Sequence, residues 1–95
     1  MNDYLLLHIG FEPPSPEVMA EWEAWFASVS DREMDRGHLP RGWEMGAGGE
    51  VRALPLSADS LTGFTLIQAA DLDEAKAVAA ACPAVLATRV YEIRR

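Results

Sequence analysis

The stretch "TGFTLIQAADLDEAKAVAAAC", residues 62–82, changes its hydrophobic period halfway along, and that change decides the fold. Up to Ala69 the period is two. Phe64, Leu66 and Gln68 share one face and Thr65 and Ile67 the other, as in a β-strand. From Asp71 onward the period becomes helical. Asp71 can cap the first turn, with Glu74 three residues on completing the aspartate form of a capping box. Leu72, Ala75, Val78, Ala79 and Cys82 then fall on one side, and Pro83 stops the helix. The small residues on that side let the helix backbone approach a sheet closely.

The N-terminal part repeats this order of elements, though not the sequence. Residues 3–9, "DYLLLHI", read as a strand with Leu5, Leu7 and Ile9 on one face and Tyr4, Leu6 and His8 on the other. Apolar residues on both faces imply cover on both sides. "GFEPPSP" breaks the strand, because glycine and three prolines cannot continue a ladder. Ser15 suits an N-cap, Pro16 the first helical position, and Glu17 and Glu21 the positive end of the helix dipole. The pattern predicts a helix from about residue 16 to about residue 36, with Gly37 as its C-cap. Val18, Met19, Trp22, Trp25, Phe26 and Val29 occupy one arc of it, while Glu17, Glu21, Glu23 and Asp31 lie outside. Trp22, Trp25 and Phe26 therefore read as the fastening of this helix to a sheet rather than as a binding surface.

Residues 37–61 are rich in Gly, Pro and Ser. "WEM" at 43–45 and "EVRAL" at 50–54 are candidate short strands joined through "GAGG", although the glycines also suit an irregular loop. "ATRVYEIRR" at 87–95 reads as a closing strand. The order βαββαβ in one domain over residues 1–95 predicts an α+β, ferredoxin-like sandwich. Its antiparallel sheet carries both helices on one face. The other face, carrying residues such as Leu6 or Phe64, would be bare, and a homodimer packing sheet on sheet would cover it.

Composition limits the partners. Eight Lys and Arg against fifteen Asp and Glu give a formal charge of −7. That field repels phosphate backbones and argues against nucleic acid. "LLL" at 5–7 is stopped by His8, and "AVAAAC" at 77–82 is far too short to span a bilayer, so no membrane partner is expected. A single cysteine, Cys82, cannot form an internal disulfide. Together these features predict a cytoplasmic protein.

Few residues carry recognisable chemistry. His8 sits mid-strand beside Tyr4 and Leu6, on the face that alternation assigns to the dimer cavity. There it is either a catalytic, ligand-facing imidazole or a hydrogen-bonded structural one, and burial would favour its neutral form. Tyr4 and Gln68 are candidate ligand-binding residues on the same grounds. Trp43, in the Gly-rich middle, either covers the sheet edge, seals the dimer or walls a ligand pocket. His38, beside Gly37, reads as a solvent or helix-end residue. Two separated histidines and one cysteine lack the convergence that a metal site needs, and "GAGGE" lacks the Lys and the helix of a phosphate cradle, so no cofactor is expected. Cys82, facing the core, reads as a small hydrophobe rather than a nucleophile.

Taken together, "YLLLHIGFEPPSPEVMAEWEAWFASV", "DSLTGFTLIQAADLDEAKAVAAACP" and "VYEIRR" resemble the YCII-related proteins, particularly the DGPF-type subgroup. The resemblance covers about two thirds of the chain and rests on the order and spacing of the pieces. It implies a dimeric α+β barrel and lyase- or isomerase-like acid–base chemistry, with a His–Asp pair in a cleft near the start of the first helix. This chain departs from that pattern. Residues 15–36 contain no histidine and offer Glu21, Trp22 and Phe26 instead. "RALPLSADSL" stands where the DGPF element would fall. Two functions follow: a homodimer with a small-molecule cleft between subunits, or a non-catalytic accessory or interaction module that keeps the fold without the pair.

Overall fold

In a computed structural model describing residues 1–95, eight elements follow one another. They are β1 (Asn2–Ile9), α1 (Pro16–Val29), β2 (Glu33–His38), β3 (Gly42–Met45), β4 (Val51–Leu54), β5 (Leu61–Ala69), α2 (Leu72–Ala80) and β6 (Ala87–Ile93). Strands β2, β5, β1 and β6 form one antiparallel sheet in that order, and both helices lie on one face of it. This is the expected ferredoxin-like α+β arrangement. Strands β3 and β4 pair only with each other, as a separate hairpin.

Both helix starts form as their sequences predict. The Ser15 hydroxyl accepts from the Val18 amide at 3.2 Å, and the Asp71 carboxylate from the Glu74 amide at 2.9 Å. Glu74 reaches back to the Ala70 amide, one residue beyond the usual box, and also meets Arg32 at 2.6 Å. That ion pair ties the start of α2 to the chain entering β2.

The first helix ends at Val29, seven residues short of the expected end, and the second sheet strand is residues 33–38. Beyond Val29 no apolar residue continues the stripe. The Ser30 hydroxyl and amide both turn back onto the Ala27 carbonyl and close the helix. "EMDRGH" has no apolar alternation because it is an edge strand. Pairing with β5 holds it in place, not burial of its own side chains. Gly37 is accordingly not a helix cap. It lies opposite Phe64, whose ring fills the space a side chain there would need.

The face assignment of β1 is also corrected. Tyr4, Leu6 and His8 point toward the helices and are buried at 1 %, 0 % and 5 % exposure. Leu5, Leu7 and Ile9 share the uncovered face. Leu6 pairs with Thr65 and Leu7 with Phe64, so Leu6 and Phe64 lie on opposite faces rather than together. The neighbouring strand supplies the reason. On the helix side β5 presents Gly63, Thr65 and Ala69 around Ile67, small enough for Trp25, Ala75 and Ala79 to pack down on the sheet. Its other side carries Phe64, Leu66 and Gln68. Trp25 anchors α1 to α2, its indole N–H donating to the Val78 carbonyl at 3.1 Å.

Candidate functional site

A cleft of about 580 Å³ opens at the end of the sheet where β1 runs out, β2 ends and β5 begins. The N-terminal half of α1 forms one wall through Val18, Trp22 and Phe26. The turn after β1 contributes Gly10 and Phe11, and the end of β2 contributes Arg36 and His38. Two backbone features shape this end. Thr62 is bulged out of the β1–β5 ladder, and its hydroxyl is shared between the His8 and Gly10 carbonyls at 3.3 and 3.1 Å. Gly10 adopts φ +110°, where a side chain would meet the Leu86 amide and Val85 at 2.8 Å, so only glycine lets the chain turn this closely.

His8 forms the inner end of the cleft. Its ring packs edge-on against Trp22 and Trp25, with centroids 5.1 and 5.7 Å away. Nε2 lies 2.9 Å from the Thr65 hydroxyl. Nδ1 makes longer contacts with the Thr88 hydroxyl and the Cys82 sulfur, at 3.4 and 3.5 Å. None of its hydrogen-bond partners is a carboxylate. Removal from water, with no countercharge, lowers its pKa from 6.5 to about 4, so the imidazole is neutral at physiological pH. Burial likewise pushes the Cys82 thiol up, keeping it protonated. The charge in the cleft sits at its mouth, where the Arg36 guanidinium lies 4.1 Å over the Phe26 ring and exposed His38 and Glu12 stand nearby.

The four residues singled out from the sequence do not converge. His8 reaches the cleft, but from the helix-covered side of the sheet rather than from its open face. Tyr4 is sealed in the core. Gln68 lies on the open face and its amide donates to Asp3 at 3.4 Å. Trp43 stands on the β3–β4 hairpin, 55 % exposed, with Arg41 beside its ring at 5.7 Å. The aromatic run of α1 divides in the same way. Trp25 is core, whereas half-buried Trp22 and Phe26 both pack on that core and wall the cleft. Sequence reasoning missed Arg36, since residues 30–36 read as helix, and it missed Phe11, which lies in a proline-rich turn with no periodicity. Thr65 and Thr88 carried a usable signal, because both flank His8 across adjacent strands. No cluster of three or more His, Cys, Asp or Glu residues is placed to hold a metal ion, and no helix is long and apolar enough to cross a membrane.

An antiparallel four-stranded sheet under two helices, with an aromatic-walled cleft beside the first, defines the ferredoxin-like class of small α+β proteins. The chain belongs to the YCII-related family, whose domain profile matches residues 18–95. Among solved structures it is similar to 5-chloro-2-hydroxyhydroquinone dehydrochlorinase (TftG) from Burkholderia phenoliruptrix AC1100, in complex with 2,5-dihydroxybenzoquinone. The identity is 18 % and the TM-score 0.58, over 98 % of this chain and 94 % of that one. No curated protein matches the chain.

Proposed function

We propose that the protein is an enzyme-like member of its family that takes a small, planar, oxygen-bearing organic molecule into the cleft. In this reading His8 supplies lyase- or isomerase-like acid–base chemistry. The observation that carries it is a neutral imidazole at the inner end of an aromatic-walled cleft with a guanidinium at its mouth. Rings of Trp22 and Phe26 stack a flat ligand, Arg36 favours an ionised oxygen on it, and a neutral His8 can accept a proton at physiological pH. The quinone bound by the dehydrochlorinase of the same fold has this shape and chemistry. A homodimer completes the reading. The open sheet face carries Leu5, Leu7, Phe64, Leu66 and Tyr91, and a second copy placed sheet to sheet would cover them.

A second reading is favoured by the His8 contacts themselves. Both ring nitrogens already face partners from this chain, and no carboxylate orients the ring. A binding module without turnover would look the same. 2,5-Dihydroxybenzoquinone serves as the probe for both. Titration followed by tryptophan fluorescence is expected to saturate, and Trp22→Phe to weaken binding at least fivefold with the fold intact. Absence of saturable quenching removes the cleft reading altogether. Chloride release from 5-chloro-2-hydroxyhydroquinone that is abolished in His8→Gln supports the enzyme. Binding without release supports the module.

A further inference from the structure

The β3–β4 hairpin is the one part of the chain that the fold leaves unused. None of its residues joins the buried core, and every residue from 51 to 59 is exposed. Its two faces are unlike. Trp43 pairs across from Ala53 and Met45 from Val51, which makes one face wholly apolar; Trp43, Met45 and Val51 are 55 %, 67 % and 64 % exposed. On the opposite face Glu44 meets Arg52 at 3.1 Å. An isolated two-stranded hairpin is marginal in water, and one with an uncovered apolar face is more so.

We infer that this hairpin is an arm that clasps a second copy of the chain, with Trp43, Met45, Val51 and Ala53 as its gripping face. This rests on the two-copy reading above and adds a second, separate contact to it. Three observations point to another copy as the occupant. The chain exposes 6412 Å², against about 5,400 Å² for a compact monomer of its mass. The excess, on the order of 1,000 Å², matches what one partner contributes to a standard stable interface, about 800 Å². The radius of gyration is 14.5 Å, where a compact chain of this length has about 12.4 Å, and the molecule is a slab of 40 × 38 × 18 Å. Charge agrees. Across residues 41–54, Arg41 and Arg52 balance Glu44 and Glu50, so the arm is neutral on a chain of −7 and can approach an equally acidic copy without repulsion.

The arm is also rooted where it matters. Residues 39–41 leave β2 directly after His38, and Leu39 continues the ladder by donating to the Thr62 carbonyl at 2.9 Å. The hairpin therefore extends the sheet end that carries the cleft mouth. In a two-fold pair each arm reaches the other copy, so the arm contact is made twice, once on either side of the sheet-to-sheet contact.

Sedimentation of the full chain across a micromolar concentration series tests this, comparing wild type with Trp43→Ser/Val51→Ser. Both positions are exposed and outside the core, so circular dichroism and the melting temperature of the dilute protein should be unchanged. Wild type should sediment near twice 10.4 kDa, and the double variant should dimerise at least tenfold more weakly. Hydrogen exchange of wild type supplies an independent readout, with Glu44 and Arg52 amides becoming protected as concentration rises through the dimer Kd. If the variant dimerises as tightly as wild type and the hairpin amides stay unprotected, the arm is overturned while a sheet-to-sheet dimer stands. A wild type that stays monomeric overturns both.

Discussion

Protonating His8 should cost this fold a large part of its stability, because nothing around the ring receives the charge. In the unfolded chain the imidazole titrates near 6.5, and in the folded chain near 4. Between those values the unfolded state binds more protons, so stability must fall as the pH falls. The contribution is essentially complete above about pH 7, declines by about 2 kcal/mol at pH 5 and by about 3 kcal/mol at pH 4, and levels off below that. Carboxylates also titrate in this range, so the measured quantity should be a difference. Urea unfolding of wild type and His8→Gln, at one fixed protein concentration, gives ΔG at each pH. Glutamine keeps a polar group toward Thr65 but cannot ionise. The variant carries its own constant cost at pH 7.5. The advantage of wild type over it should then shrink by about 2 kcal/mol at pH 5 and about 3 kcal/mol at pH 4. A gap that stays constant from pH 7.5 to 4 would refute the reasoning, since the folded imidazole would then take its proton as readily as the unfolded one.

Two further outcomes follow from the packing. Trp25→Ala removes a buried ring and its indole hydrogen bond to the Val78 carbonyl, which keeps the Ala81 amide as donor, and should cost about 3–5 kcal/mol in urea unfolding, whereas half-buried Trp22→Ala should cost less than half as much; equal costs would contradict the division of the aromatic run between core and cleft. Gly10→Ala should lose about 2–3 kcal/mol by the same assay, because the new methyl meets backbone and the positive φ is strained at once, and a variant as stable as wild type would mean that the turn is wider than the structure has it.

Much of the fold was legible because several signals agreed at each place. At residues 62–82 the change of period, the capping aspartate and the stopping proline all mark the same strand-to-helix junction, and at Ser15–Pro16 the cap and the first helical residue do so again. What failed was whatever depends on partners. Strand β2 carries no apolar alternation because an edge strand takes its stability from the neighbouring ladder, so "EMDRGH" could be extended on paper into a helix that Ser30 closes. Alternation on β1 correctly sorted Tyr4, Leu6 and His8 from Leu5, Leu7 and Ile9. Which set meets the helices was not in that pattern, since both sets are apolar. The decisive residues stand on the next strand, where Gly63, Thr65 and Ala69 leave room for a helix and Phe64 and Leu66 do not. The cleft was less legible still, being assembled from a turn, a helix face and two strand ends whose meeting no local pattern records.

The missing histidine of α1 is then more than a gap in a family pattern. The resemblance implies a His–Asp pair near the start of the first helix, and a carboxylate beside an imidazole stabilises the protonated ring. This chain brings an imidazole from β1 to the cleft beside α1 and surrounds it with two hydroxyls, a thiol and two indoles. Those neighbours can exchange hydrogen bonds with a neutral ring, but none carries a negative charge to offset what desolvation takes from an imidazolium. A base in this setting is available at any pH above about 4, yet the imidazolium it forms is destabilised where it stands. Any step that loads a proton on His8 must therefore pass it on quickly or meet an anion on the ligand. In the proposed reading the ligand itself is the remaining source of negative charge at the inner end of the cleft, so ionised ring hydroxyls would suit this site better than neutral ones. Probe affinity should accordingly fall as the pH drops below the pKa of the probe's own hydroxyls.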